Sequence, residues 1–358
     1  MTAQLKYAPT PTYSFSLPTL ILPEKLVELS LESMSGVAGC LQPSTDPIET
    51  LLNEVDGEPP LPIREPPSIR YIPLEPLEED AAVIGVDTSS VKVGETDMGV
   101  ICAVRGAVVW RTDGKYRYLR VGPLLFHITD EDGPRLLRRL QRRYLGVSGG
   151  AGAPYPTLLQ VRFAGMLDHL LQMNVSQQTS NSIILRDGSL TVRSGDALGN
   201  ALPQLLRAAR DRGNVILAFT KVTRLRLLGR SITSLAAEHK PPCLLEIQGL
   251  STSKQIKLLG RVYVARLGWE PYSFRLDVDR ELPSEACIDA VRRLLHNDLI
   301  FQGYPEVLRL AHVLSTFTAT EVLAIQRYVS GRYGLKVAPQ PSIRRMLFGP
   351  YGTSREAS

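Results

Sequence analysis

The pattern of apolar and polar positions changes period several times along the chain, and each change marks an element. Ala82-Val83-Ile84-Gly85-Val86 is a nearly unbroken apolar run, which predicts a central strand buried on both faces. It ends at Asp87-Thr88-Ser89-Ser90, and a turn around Gly94 leads into a second strand from Met98 to Val104. Ala107 to Arg111 and Tyr116 to Val121 extend this into an antiparallel meander, with Asp113-Gly114 as a hairpin turn. The period then becomes helical. From Asp132 to Tyr144, Leu136, Leu137 and Leu140 share one side, while Arg135, Arg138, Arg139, Arg142 and Arg143 share the other. From Tyr155 to Met173, Leu158, Leu159, Phe163, Met166, Leu167, Leu170 and Leu171 recur at helical spacing, with Asp168 near the middle.

Ile183-Ile184-Leu185 is again a short buried strand, stopped by Asp187-Gly188. A helix from Asn200 to Arg212 and a strand from Val215 to Phe219 follow, the strand ending in Thr220-Lys221. Arg261 to Leu267 and Tyr272 to Asp279 read as two more strands, the second bearing Asp277 and Asp279. Helical stretches from Ser284 to Leu295 and from Pro305 to Tyr333 close the core. No internal repeat is visible.

The flanks are patterned differently. Residues 1–22 are rich in Pro, Thr, Ser and Tyr and predict an extended arm. Pro23-Glu24-Lys25 opens a helix whose apolar positions are Leu26, Val27, Leu29 and Leu31. Gln42 to Glu79, dominated by prolines and acids, predicts a linker or a strap over the main domain. Gly149 to Pro156 is a flexible break. The expected division is therefore 1–80 for arm, helix and strap, 81–335 for one α/β domain, and 336–358 for a loose tail.

Composition narrows the class without deciding it. A chain of 358 residues, 44% hydrophobic and 22% charged, can bury a large core. Its net charge of +5 permits nucleic-acid binding, which only local clustering would make specific. Cys40, Cys102, Cys243 and Cys287 are scattered, with neither zinc spacing nor a disulfide framework, and predict reduced thiols in a cytoplasmic protein. No signal peptide and no uninterrupted apolar run of membrane-spanning length is evident.

The order of the acids carries more. A strand ending in Asp87, a meander, a helix with Asp168 and a strand ending in Asp187 follow the element order of the ribonuclease H fold, a mixed sheet flanked by helices. In that fold acids from these three elements converge on divalent metals. Clustered carboxylates repel one another and take up protons unless cations neutralise them. Mg²⁺ or Mn²⁺ suits an all-oxygen site, and two such ions roughly 3.5–4 Å apart can activate a water and stabilise a leaving oxygen. The same motifs fit a rival. Sugar kinases, actin and the heat-shock ATPase chaperones also place an Asp with Ser/Thr after a first strand, and Asp187-Gly188-Ser189 would then be a second phosphate loop. In an inert version each Asp caps a turn.

Gly303-Tyr304-Pro305-Glu306-Val307-Leu308-Arg309-Leu310-Ala311-His312 separates these possibilities. Leu308 and His312, four apart, share a helix face, with Tyr304 at the helix entrance. A lone His on an apolar helix is more often a core residue than a ligand. This GYPxxLxxAH pattern, however, resembles the C-terminal signature of the NurA nucleases. Val86-Asp87-Thr88-Ser89-Ser90 resembles that family's first motif and Leu185-Arg186-Asp187-Gly188-Ser189-Leu190 its central one, while Phe219-Thr220-Lys221 is similar to its lysine segment. The resemblance runs from about Ala81 to Leu335 in the same order.

It implies a ribonuclease H-like core, cleavage of DNA dependent on Mn²⁺ (or Mg²⁺), and a homodimer working with a HerA-type hexameric ATPase in DNA end resection and double-strand-break repair, by 5′–3′ exonuclease and single-strand endonuclease action. Asp87 and Asp187 match the family's metal-binding acids, and Tyr304 and His312 its C-terminal pair, His312 as a ligand or proton-transfer group. Lys221 would contact phosphate, and Arg138, Arg139 and Arg142 are further candidates for DNA contact unless they form a solvated basic face. One departure is visible. The family has a Glu on the helix before the DGSL strand, and the nearest match here is Asp168, one methylene shorter; Glu95 and Asp279 are lesser substitutes. If the ligand is lost, the chain would be a weak or inactive subunit that still regulates its translocase.

Overall fold

One long strand organises the sheet. The structure, a computed structural model, describes residues 24–43, 68–145 and 156–338, apart from residues 194, 228, 251–252 and 254–255. The expected N-terminal arm, most of the Pro-rich strap, nearly all of the Gly149–Pro156 break and the tail beyond 338 lie outside the described residues. The strands are β1 (Cys40–Pro43), β2 (Ile69–Pro73), β3 (Val83–Thr96), β4 (Gly99–Thr112), β5 (Lys115–Thr129), β6 (Ile183–Asp187), β7 (Thr191–Arg193) and β8 (Val215–Thr220). They continue with β9 (Arg226–Leu227), β10 (Arg230–Ser231), β11 (Cys243–Ile247), β12 (Ile256–Leu258), β13 (Gly260–Arg266), β14 (Phe274–Asp279), β15 (Ile300–Phe301), β16 (Tyr304–Pro305) and β17 (Lys336–Val337). The helices are α1 (Glu24–Met34), α2 (Gly133–Leu145), α3 (Pro156–Gln178), α4 (Ala197–Arg210), α5 (Ser284–Asn297), α6 (Glu306–Ser315) and α7 (Ala319–Tyr333).

The heart of the 11-stranded sheet is the order β5-β4-β3-β6-β8, in which β3, β6 and β8 are parallel and the β3–β4–β5 meander is antiparallel. This is the ribonuclease H-like mixed sheet expected from the order of the elements. Antiparallel β14, β13, β11 and β2 widen it beyond β8, and β1 with β17 lines the far half of β3. Residues from the N-terminal helix and strap segment thus enter the fold: α1 packs Leu26 and Leu29 into the core, and β2 forms an edge of the sheet.

Three elements differ from the sequence pattern. β3 does not stop at Asp87, because β4 pairs with it from Val83↔Arg111 through Thr96↔Gly99 and holds Asp87-Thr88-Ser89-Ser90 in the ladder. Its parallel partner β6 does stop there, the last pair being Val86↔Arg186, so Asp87 lies at a step where β3 runs on alone. Met98–Val104 and Ala107–Arg111 fuse into the single strand β4 for the same reason. Pro305–Tyr333 divides into two helices at Thr316-Phe317-Thr318, where Thr318 and Glu321 form a capping box that starts α7. Taken as one stretch, 306–333 is long and apolar enough to cross a membrane; it is instead two helices of 10 and 15 residues whose apolar sides face the sheet.

Strand alternation sends successive side chains to opposite faces of the sheet. Ile84, Val86, Ile184 and Ile216 join a core under α1 to α4. Val83, Ile183, Leu185, Val215 and Leu217 join a second core under α5 and α6. Gly85 lies on the second face, and α6 rests directly on it: a Cβ there would fall 2.9 Å from Val307 Cγ1, 3.0 Å from the Val307 carbonyl oxygen and 3.1 Å from Leu308 Cα. Two of these obstacles are backbone, so the helix itself would have to move. Gly85→Ala is expected to lower stability by about 1–3 kcal/mol, the usual range for an overpacked core. Urea unfolding of the purified variant measures this, and a midpoint equal to wild type would refute so close a contact.

Candidate metal centre

Gly85 and Asp87 are two residues apart on one strand, so the close approach that Gly85 permits carries α6 across Asp87. Asp87 is buried, and its Oδ2 accepts a hydrogen bond from the Ser315 hydroxyl at 2.5 Å and lies 3.2 Å from His312 Nδ1. Asp187, last residue of β6, projects to the same face from the neighbouring strand. Asp87, Asp187 and His312 each offer a ligand atom within 4.8 Å of the other two. They come from a strand interior, a strand end and a helix, and the sequence motif alone did not show that these meet.

The corner between α6 and α7 is clamped to the sheet. Ser89 donates to the Ser315 carbonyl at 2.5 Å, and the buried Arg105 donates to the Thr316 carbonyl. The Arg105 guanidinium also pairs with Glu321 at 2.9 Å and stacks 4.2 Å from the Phe317 ring centre. Burial works to raise the Glu321 pKa, but hydrogen bonds from Arg105, the Thr318 backbone and Arg120 hold it down at about 2. The entrance to α6 is anchored too. Asp298 accepts from the Val307 backbone N–H at 3.0 Å and from the Tyr116 hydroxyl at 2.8 Å.

Burial lifts the Asp298 carboxyl to about 6 despite those two hydrogen bonds. A carboxyl raised from 3.8 takes up protons more readily folded than unfolded, so its contribution is full below about pH 4 and fades as pH rises through about 6. The difference is on the order of 2–3 kcal/mol. Asp298→Asn is therefore expected to remove this part of the pH slope. Urea unfolding of both proteins near pH 4 and pH 7 checks it; parallel slopes would show that Asp298 does not titrate across that interval.

Tyr304 follows Gln302-Gly303, both at positive φ (51° and 77°), in the tight turn between β15 and β16. Gly303 suits that backbone geometry and lets the turn deliver Tyr304 to the site. Its ring packs edge-on against Phe219 and Phe274. The Tyr304 hydroxyl is buried without a protein partner, and burial, with the nearby Asp187 and Asp87 charges, pushes its pKa upward. Lys221 donates to Asp187 at 2.7 Å and lies 5.8 Å from the Tyr304 ring centre. The donor set is two carboxylates and an imidazole beside an unsatisfied hydroxyl. It fits a divalent cation: carboxylates suit Mg²⁺ or Mn²⁺, and the imidazole favours the transition ion.

Asp168 is not among the ligand atoms that lie within 4.8 Å of one another, and its carboxylate is engaged by other partners. β6 alternation explains why: Asp187 faces α6, so Arg186 faces α3 on the other side of the sheet. There Arg186 lies 3.9 Å from Asp168 and donates to Gln172, which in turn donates to Asp168 at 2.7 Å. Burial raises the Asp168 carboxyl to about 6; Arg186 opposes this, and the charges of Asp87 and Asp187 add to it. Glu95 is paired with Lys92, and the buried Asp279 with Arg210. Arg138, Arg139 and Arg142 ride on α2, whose leucines pack into the α1–α4 core, on the opposite face from His312. Arg139 pairs there with Glu32 at 3.0 Å, and Arg138 donates to its own helix at Pro134.

Sequence reasoning missed Ser315, Arg186, Gln172 and Gly85. Two of these had a signal. Arg186 precedes Asp187 in a strand, so alternation alone opposes them, and a glycine inside an apolar strand signals close backbone approach.

Sheet order and the acid–acid–histidine group together define a ribonuclease H-like protein with a candidate cation site. Among solved structures, the crystal structure of the NurA nuclease from Sulfolobus solfataricus aligns with a TM-score of 0.51 at 14% identity, covering 73% of this chain and 87% of that one. The crystal structure of a NurA covers 73% of this chain and 91% of its own at 12% identity, with a TM-score of 0.35. A NurA bound to dAMP and manganese covers 69% and 88% at 11% identity, with a TM-score of 0.32. No protein-family model and no curated protein matches the chain. The fold is NurA-like.

Proposed function

We propose that this chain is a divalent-cation-dependent deoxyribonuclease. The observation that carries it is the convergence of Asp87, Asp187 and His312 within 4.8 Å in a NurA-like fold. Asp87, Asp187 and His312 would hold the cation, Mn²⁺ in preference to Mg²⁺. The bound cation supplies Lewis acidity at a phosphodiester oxygen and lowers the pKa of a water. Ser315 orients Asp87, and Asp87 in turn holds the His312 ring through Nδ1. Lys221 neutralises Asp187 and is placed to pass to a substrate phosphate, and the Tyr304 hydroxyl offers a hydrogen-bond donor inside the site. The NurA that was crystallised with dAMP and manganese is consistent with such a ligand and ion.

The wider role is DNA end resection in repair, as a homodimer beside a HerA-type hexameric ATPase; the family resemblance of the motifs supports it. The test is Mn²⁺-dependent cleavage of end-labelled DNA by wild type, Asp87→Ala and Asp187→Ala. Cleavage undiminished in EDTA, or retained by both variants, sinks the site. A second possibility, a catalytically weak subunit that binds and regulates the translocase, is favoured by one observation: the Asp168 carboxylate is engaged by Arg186 and Gln172. It predicts co-purification with the ATPase and no cleavage. An ATP-dependent phosphotransferase leaves Tyr304 and His312 without a role, and calorimetric ATP binding would be its mark.

A further inference from the structure

Two connections meet beside the candidate centre. β8 and β14 are antiparallel with Thr220 opposite Arg275, so residues 268–273, which lead into β14, lie at the same sheet end as Lys221 and Asp187. This loop is seated on the β15–β16 turn. A Cβ on Gly268 would fall 3.2 Å from the Gly303 nitrogen, and one on Gly303 would fall 3.2 Å from the Tyr272 carbonyl. Phe274 continues the contact to the Tyr304 ring at 5.0 Å, and Tyr304 to Lys221. The rim from Asp187 to the loop is therefore continuous.

Three large aromatics stand out on this rim: Trp269 is 72% exposed, Tyr272 52% and Phe301 50%. Phe301 carries the Arg309 guanidinium 5.0 Å above its ring, three residues before His312 on α6. Exposed aromatics scattered singly need no explanation, but three grouped beside a candidate centre do. The second component is basic. Lys221, Arg224, Arg226 and Arg230 are exposed within ten residues of one segment that leaves β8 at the centre. Glu270 belongs to the aromatic loop, so the loop brings stacking surface and the β8 segment brings positive charge. A basic track with adjoining aromatic rings is the arrangement that binds single strands without sequence preference, since every base has a stacking face.

We propose that Trp269, Tyr272 and Phe301 form a stacking subsite for the unpaired bases of a single-stranded nucleic acid, whose backbone follows the Lys221–Arg230 segment to the Asp87–Asp187–His312 group. The proposal rests on the nuclease function inferred above and adds to it a set of residues that select unpaired strands.

Binding is measured in EDTA, so that no cleavage is needed, by the anisotropy of a fluorescent end label on each strand, which also reads the variants that lack Trp269. The probes are an oligothymidylate of about 12 nucleotides and an abasic strand with the same phosphates. Of the two tryptophans Trp110 is buried, so surface quenching of emission reports Trp269. Oligothymidylate is expected to quench wild-type emission and to bind the Trp269→Ala/Tyr272→Ala double variant at least about tenfold more weakly, while Trp269→Phe stays near wild type. The abasic strand should bind wild type and double variant alike. Equal oligothymidylate affinity in wild type and double variant overturns the subsite. So does equal binding of the two probes to wild type, which leaves phosphate contacts only. Trp269 shielded from acrylamide in a concentration-dependent way without nucleic acid would assign the surface to a second copy and also overturn it. If quenching follows the prediction but wild type never cleaves with Mn²⁺, the subsite stands and the nuclease function falls; if neither strand binds, both fall.

Discussion

Asp187→Ala is expected to abolish Mn²⁺-dependent cleavage of end-labelled DNA, by at least about a hundredfold, while leaving the protein folded. Loss of a group that only orients a metal ligand commonly costs 10–100-fold, and removal of a ligand itself should exceed that. The fold should survive because the Asp187 side chain is 31% exposed and its ion pair is with the half-exposed Lys221. Such pairs contribute about 0–1 kcal/mol. Asp87→Ala should remove cleavage equally and also leave the protein folded, since the Ser315 hydroxyl keeps the His312 carbonyl, 3.0 Å away, as an acceptor. A second measurement needs no substrate. Mn²⁺ at about a hundred times its dissociation constant should stabilise wild type by about 2.7 kcal/mol, a rise of a few degrees in Tm, and neither variant should show that rise. Both alanine proteins gaining the full shift would place the ion elsewhere.

The largest effect on stability is expected away from the acids. Arg275 and Asp277 are both fully buried and pair at 2.7 Å along β14. Asp277 also accepts the Leu190 N–H at 2.9 Å, and Arg275 donates to Thr191 at 3.0 Å, so the pair anchors the turn that follows Asp187. Arg275→Ala would strand a buried carboxylate and should cost about 3–5 kcal/mol in urea unfolding. Replacing both residues by Leu removes the stranded charge and should cost less, although the Leu190 N–H is then unsatisfied at about 1–3 kcal/mol. A single variant as stable as wild type, or a double variant worse than the single, would contradict a mutually dependent pair. Because Leu190 and Thr191 follow Asp187 so closely, any surviving Arg275→Ala protein should also cleave more slowly.

Much of this architecture was legible because apolar runs report burial directly. Val83–Val86, Ile183–Leu185 and Val215–Phe219 are the three parallel strands at the sheet centre, buried on both faces, and their sequences are correspondingly unbroken. Boundaries were less legible. Asp87-Thr88-Ser89-Ser90 looks like a strand end, yet these residues stay in the ladder because β4 pairs with all of them. The Thr316-Phe317-Thr318 break was hidden by apolar residues on both sides of it. In the centre, Asp87, Asp187 and His312 were found through motif resemblance, whereas their meeting depends on how closely α6 can approach β3, a matter settled by Gly85. The partners of Asp168 were not legible, because helical spacing says that an acid faces the sheet but not which strand residue will meet it. Arg186 meets it.

Asp87 and His312 are 225 residues apart in sequence and touch in the fold. Chains emerge from the ribosome N-terminus first, at about 5–20 residues per second. β3 and β6 can therefore pair many seconds before α6 exists, with Asp87 and Asp187 in place and no imidazole above them. The centre closes only when α6 docks on Gly85 and the Thr316 corner locks against Arg105. On the function proposed above, a chain aborted before His312 carries both acids but lacks the imidazole, and no cleavage is expected of it.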